Sequence, residues 1–369
     1  MPSLPFIPST NNSISDGTFH GPVVLARSVH QHLAPSIAPI PRQLPPPARH
    51  FTDREADRSV LDDARTAGCR LVVISGIGGV GKTALATQWL ADAAYNDGQV
   101  YVDLAGPEGA MPAESVLRRW LRAFGLDRPP TGLDELTALW RSITARRSVA
   151  VLIDGAANAR QVRPLLPAGD STVTVVTSRR ALRELAVDGA VFHPLHPLNQ
   201  DAAIQLLASL AGRERIEAAP REAARLADRC FRLPLALVLA GAQLAIRRHH
   251  SVAAITNALA PQGPPDTTYG EDPARMTIDT TLDSIYQDWE VEIQLVYRQL
   301  GILPTGDIDP GLTAAVCALE PQRAERALEL LTDAQLLEPL PELGGRVLYR
   351  ILPAARNHAW KLAVQHDPE

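Results

Sequence analysis

The sequence predicts an α/β domain, a parallel sheet with helices on both faces, followed by a small helical domain and a winged-helix domain. Three observations predict it. Short branched runs such as "RLVVISG" and "SVAVLIDG" alternate with longer amphipathic segments between Phe51 and Ser178. The β signal then disappears after about residue 198, where helical patterns take over. Last, three helical segments precede "LLEPLPELGGRVLYRIL", a hairpin-like pair around Gly344-Gly345. Strands alternating with helices imply βαβ crossovers, and a chain of 369 residues exceeds the roughly 250–300 that one core organises.

Taken in order, residues 1–48 form a proline-rich tail that ends in "PIPRQLPPPARH", a polyproline-like linker. The α/β domain is expected over 49–198, with helices at 53–67, 82–95, 113–125 and 133–145 and a short one near 158–166. Its strands are expected at 70–76, 98–106, 148–155 and 171–178. The helical domain covers 199–260, with helices at 199–211, 219–231 and 233–248. A loop at 260–275 leads to the winged-helix domain at 275–369.

Composition narrows the function classes. A net charge of −5 with 46% hydrophobic residues describes an ordinary globular chain and does not point to nucleic acid. Cys69, Cys230 and Cys317 have no ligand-like spacing and read as free thiols of a reducing compartment. The longest apolar run, "LPLALVLAGAQLAI", is shorter than the roughly 20 residues a bilayer requires, so no membrane partner is expected. With no signal peptide at the N-terminus, the expected location is cytoplasmic.

The phosphate chemistry lies in "SGIGGVGKT". Gly76, Gly78, Gly79 and Gly81 let backbone N–H groups turn inward around an anion, where a Cβ would interfere. The helix that follows adds its N-terminal N–H groups and the positive end of its dipole. Lys82 is expected on the β/γ-phosphates and the Thr83 hydroxyl on Mg²⁺. Lys82 and Lys361 are the only lysines in a chain otherwise rich in arginine. This is a P-loop of the nucleotide-hydrolase kind, between a strand and a helix. Asp154 ends the apolar strand "VAVLID" and is expected as the Mg²⁺-side carboxylate, at the sheet edge where open α/β sheets bind ligands. Arg179, in "VTVVTSRR", stands where an arginine can report the γ-phosphate.

The P-loop, "LIDGAANARQVRPLLP", "VVTSRR" and "CFRLPLALVLAGAQLA" together resemble the NB-ARC class of STAND NTPases, and most of all their bacterial antibiotic-regulator-type members. The resemblance spans about residues 45–365. It implies three domains closing over ADP, with ADP-to-ATP exchange opening the protein for self-association and signalling. It implies that Arg54, in "HFTDRE", helps hold the base and ribose side, although the family's glycine is Asp53 here. It implies that Pro234, in "RLPLAL", packs on the nucleotide, with Arg232 in place of another family glycine. The family's histidine and aspartate for the β-phosphate of ADP are replaced by Leu352 and Pro353, so that latch is expected to be missing. Members usually continue into sensor repeats; no such period occurs in this sequence, which leaves the sensor to a partner or to loss.

The residue after Asp154 is Gly155, where many STAND proteins carry a second acid. Without a base to orient water or an arginine finger, which supplies roughly 10³–10⁵ in rate, hydrolysis of ATP is expected to be slow. Residues 11–33 carry "GPVVLA", which resembles the amyloid-signalling cores of bacterial NLR-like proteins that template a downstream effector; the alternative is a disordered tail. The expected function is therefore an ADP/ATP-binding signalling switch with Mg²⁺. Two alternatives remain open: a DNA-binding transcriptional regulator using the winged helix, and a nucleotide-locked scaffold without turnover.

Overall fold

In the computed structural model of the protein, the described residues are 40–105, 111–258, 282–283, 285–287, 289–304, 307–334, 336–343 and 346–366. The tail motif at 11–33 and the loop expected at 260–275 lie outside them.

The branched runs form five parallel strands: β1 (Leu71–Ser75), β2 (Gly98–Asp103), β3 (Val149–Asp154), β4 (Val173–Ser178) and β5 (Ala190–Pro194). Their order is β2-β3-β4-β1-β5, with β1 paired in parallel to both β4 and β5. Between and around them run α1 (Glu55–Thr66), α2 (Lys82–Ala91), α3 (Ala113–Ala123), α4 (Leu133–Thr144) and the short α5 (Ala159–Val162). All five residues of β1 are buried, as a strand covered on both faces requires. Successive side chains point to opposite faces, and the two cores follow that alternation. Val72 and Ile74 pack with Leu85, Trp89 and Leu90 of α2 on one face. Val73, Val151 and Ile153 pack with Trp120 of α3 and Trp140 of α4 on the other. The two indoles stack with ring centroids 5.3 Å apart.

The fifth strand is a correction to the sequence reading, which placed no strand between 178 and 198. Its sequence, "AVFHP", is only partly buried and ends in Pro194, so it lacks the continuous apolar run of a central strand. Proline is tolerated there because β5 is an edge.

Five helices follow: α6 (Gln200–Ala211), α7 (Arg213–Glu217), α8 (Pro220–Arg229), α9 (Pro234–Ile246) and α10 (Val252–Ala258). The sequence reading found α6, α8 and α9 but neither of the short helices α7 and α10. Asn199 caps α6 by accepting from the Ala202 N–H at 2.9 Å. Gly241 lets α9 approach α6, since a Cβ there would lie 2.8 Å from Leu210.

The last block runs α11 (Val291–Ile302), β6 (Asp307–Ile308), α12 (Pro310–Cys317), α13 (Pro321–Asp333), β7 (Leu337–Leu343), β8 (Arg346–Ile351) and α14 (Pro353–His366). Its strands form an antiparallel sheet in the order β6-β8-β7, whose shortest member, β6, the sequence reading did not include. One continuous apolar cluster extends from Val72 and Ile74 through Leu206 and Leu237 to Leu300, Leu328 and Leu362. All three cysteines are free, and burial pushes the Cys317 thiol up to about 11, which keeps it protonated and unreactive. Among the described residues no helix is long and apolar enough to cross a membrane.

Candidate functional site

The loop between β1 and α2 takes its shape from its glycines. Gly76 has φ +153°, and a Cβ on it would lie 2.7 Å from the carbonyl oxygen of Leu195. Leu195 follows the edge strand β5, so the strand missed from sequence forms one wall of the loop. Gly79 and Gly81 hold φ of +77° and +100°, a region that side chains resist. Gly78 lies in the turn just before Gly79, half-buried. Gly81 stands at the N-cap of α2, which aims its first N–H groups at the loop.

Lys82 curls over this loop, donating to the carbonyls of Gly76 at 2.8 Å and Ile77 at 2.9 Å. Burial pushes its ammonium down to about 8; Arg179 beside it pushes the same way, and Asp154 opposes both. Lys82, Arg179 and Asp154 thus feel one another's charge, Arg179 following the end of β4 that pairs with β1 at the loop. The cradle is positive, partly dehydrated and suited to a polyphosphate.

Asp154 is the most heavily engaged carboxylate of the site. Its Oδ1 accepts from the Thr83 hydroxyl at 2.8 Å and from the Thr177 hydroxyl, and its Oδ2 accepts from Tyr101 at 3.3 Å. Thr177 also receives the N–H of Gly155 at 3.0 Å, which ties β3 to β4 at their ends. Burial and the adjacent Asp154 push the Tyr101 phenol above its ordinary value, so Tyr101 remains a donor. The adjacent hydroxyl and carboxylate of Thr83 and Asp154 are hard oxygen donors of the kind Mg²⁺ prefers, so the residues present fit that ion.

Arg54 lies behind the loop. Its guanidinium is buried and donates to the carbonyls of Val80 and His196, each at 2.9 Å, and to Asp57 at 3.2 Å. It braces the back of the phosphate loop against the segment after β5. Asp57 in turn meets His193 at 2.8 Å. Burial raises the Asp57 pKa, yet the His193 hydrogen bond and the Arg54 charge outweigh it and leave the carboxyl below its ordinary value.

Pro234 stands beside the loop. Its Cγ lies 3.8 Å from where a Cβ on Gly81 would be, and the next residue, Leu235, donates its N–H to Gly79 at 3.2 Å. Asp53 and Arg232, where the resemblance led one to expect glycine, both have left-handed backbones with φ of +51° and +55°. Leu352 packs against the apolar cluster and donates its N–H to Leu336 at 2.9 Å. His358 of α14 is buried against Tyr297 and Asp283.

Sequence reasoning missed Tyr101, Thr177 and Leu235. Thr177 could have been found from its place at the end of a buried strand beside Asp154. Tyr101 could not, since only the strand order puts it there.

The AAA domain family matches residues 65–189, the stretch that holds the P-loop, Asp154 and Arg179. The regulatory protein AfsR of Streptomyces coelicolor is 38% identical over 314 residues, 81% of this chain and 31% of that protein. A Walker-type ATPase of Pyrococcus abyssi has a similar fold, with TM-score 0.55 and 15% identity over 86% of this chain and 99% of its own. The chain is a P-loop NTPase of the antibiotic-regulator type. This NTPase spans about a third of the length of the curated relatives it matches. A putative HTH-type transcriptional regulator of Mycobacterium bovis is 30% identical over 79% of this chain and 33% of that protein. With relatives named as transcriptional regulators, the expectation against nucleic acid drawn from charge alone has no support.

Proposed function

We propose that the protein is an ADP/ATP-binding switch of the NB-ARC, STAND type, with slow ATP hydrolysis and nucleotide-dependent opening and self-association. The observation that carries this reading is the seat of α9 on the phosphate loop. The Leu235 N–H meets the Gly79 carbonyl and Pro234 stands over Gly81, so a phosphate entering the loop meets the helical block at once. A nucleotide with one more phosphate then bears differently on that block, and a differential contact is what a ligand-driven switch requires.

In this reading Gly76, Gly78, Gly79 and Gly81 cradle the phosphates, Lys82 neutralises them and Arg179 reports the γ-phosphate. Thr83 and Asp154 hold Mg²⁺, which would screen phosphate charge, and Thr177 and Tyr101 fix the Asp154 rotamer. Pro234 rests on the nucleotide, while Arg54 acts through the loop it braces. The domains are a tail to residue 48, a nucleotide domain over 49–198, a helical domain over 199–260 and a winged-helix domain over 275–369. The helix, strand, helix, helix, hairpin order of the last block supports the winged-helix assignment. With Leu352 in place of a histidine, ADP is held less firmly from that side. Residues 11–33 are assigned to an effector contact.

Size-exclusion chromatography with light scattering tests the switch. A larger or more extended species with a non-hydrolysable ATP analogue than with ADP is expected; identical profiles would contradict it. The second reading, a DNA-binding regulator, draws on the names of the mycobacterial relatives. A salt-dependent shift of a DNA probe by this chain would favour it.

A further inference from the structure

Gly155 leaves no acid next to Asp154 in sequence, yet the fold brings one from another strand. Asp103 ends β2 and is the in-register partner of Asp154 across the β2–β3 ladder. Paired residues of neighbouring parallel strands direct their side chains to the same face, and the strands stand about 4.8 Å apart. Tyr101 lies two residues back on β2 and therefore on that same face. Its hydroxyl reaches Asp154, which shows that the face is the one turned to the phosphate loop.

The space beside Gly155 is where the two strands meet. Gly155 has φ +69°, and a Cβ on it would lie 2.7 Å from the Ala105 Cβ and 3.5 Å from Asp103 Oδ1. The position cannot take a side chain without displacing its neighbour, and the Asp103 carboxylate borders the place that side chain would occupy. The two acids are also unequally engaged. Asp154 accepts from three hydroxyls, whereas Asp103, which is exposed, accepts the Ala105 N–H at 2.9 Å. A carboxylate saturated with donors is a poor base, and one open to solvent is available to hold a water.

We infer that Asp103 is the water-orienting base of this site, taking the place of an acid at position 155. The inference rests on the nucleotide reading given above. In the step it serves, the water oxygen bonds to the γ-phosphorus. The bond from phosphorus to the β–γ bridging oxygen breaks, and its electron pair leaves with ADP. One water proton passes to the Asp103 carboxylate, and inorganic phosphate is the second product.

The test compares the full chain with Asp103→Asn, Asp103→Glu and Lys82→Ala, measuring ATP binding by fluorescence of a labelled nucleotide and turnover by phosphate release. Asparagine keeps the acceptor for the Ala105 N–H and removes only the base. Asp103→Asn is expected to bind ATP within about twofold of wild type and to hydrolyse it on the order of 10²-fold more slowly. Asp103→Glu is expected to restore part of the rate, an outcome a purely structural role would not give. Asp103→Ser, which also keeps an acceptor, repeats the comparison if the amide disturbs folding. Wild-type turnover in a variant lacking the carboxylate, or ATP left intact by wild type that binds it, would overturn the inference and leave the nucleotide reading standing. Failure of wild type to bind ATP would overturn both.

Discussion

Leu235, at the start of α9, donates its backbone N–H to the carbonyl of Gly79 in the phosphate loop at 3.2 Å. Their side-chain positions are as close: a Cβ on Gly79 would lie 3.1 Å from the Leu235 Cβ. Helix and loop are therefore in direct contact, so the helical block touches the candidate phosphate site.

Gly79→Ala tests that coupling. Alanine must adopt φ +77°, at a cost of about 1–2 kcal/mol, and must push Leu235 away. Nucleotide affinity is expected to fall about tenfold, and limited proteolysis between the α/β and helical blocks to accelerate. Unchanged binding and protection would mean that α9 rests on the loop without influencing it.

Gly155→Asp supplies a second acid directly after Asp154, and it is expected to fail as an improvement. The left-handed backbone and the 2.7 Å approach to Ala105 should destabilise the fold by about 1–3 kcal/mol. Turnover should not rise. Urea denaturation and phosphate release on the same preparation check both halves.

Arg232→Gly should stabilise the protein. Arg232 sits at φ +55°, where glycine is free of the Cβ penalty, and its N–H closes the end of α8 on Ala227 at 2.9 Å. A gain of about 1 kcal/mol in unfolding free energy is expected. No gain would mean that the arginine side chain offsets its backbone cost through contacts of its own.

The ion pair between Arg183 and Asp333, at 2.5 Å, joins the segment after β4 to the end of α13. Burial raises the Asp333 pKa, and the Arg183 charge only partly opposes it. A carboxyl raised above its unfolded value, about 3.9, adds stability below that pH, and the addition is lost as pH rises through the folded value. The charged pair at neutral pH therefore orients the blocks more than it stabilises them. Asp333→Asn is expected to change stability at pH 7 by less than about 0.5 kcal/mol and to flatten its decline from pH 4 upward. Arg183→Ala should cost about 0.5–1 kcal/mol, since its exposed guanidinium is well screened. Denaturation series at pH 4, 5.5 and 7 separate these outcomes.

The parts of the site legible in the sequence were those that nearby residues determine. The phosphate loop was legible because its glycines, lysine and threonine are consecutive, and Asp154 because an apolar strand ending in an acid is a local pattern. Tyr101 and Asp103 were not, because only the pairing of β2 with β3, about fifty residues apart in the chain, sets them beside the strand of Asp154. The edge strand β5 escaped for a related reason: its pairing with β1, more than apolar content, makes it a strand. The contacts of Arg54 were not legible either, because the carbonyls it binds belong to Val80 and His196, which the sequence gives no reason to place together.

The most direct test of the central claim is the nucleotide that accompanies the protein through purification. Denatured wild-type protein, analysed by chromatography and mass spectrometry, is expected to release ADP or ATP in near-stoichiometric amount, and Lys82→Ala to release little. Folded wild-type protein that carries no adenine nucleotide and takes none up when ATP and Mg²⁺ are supplied would contradict the account.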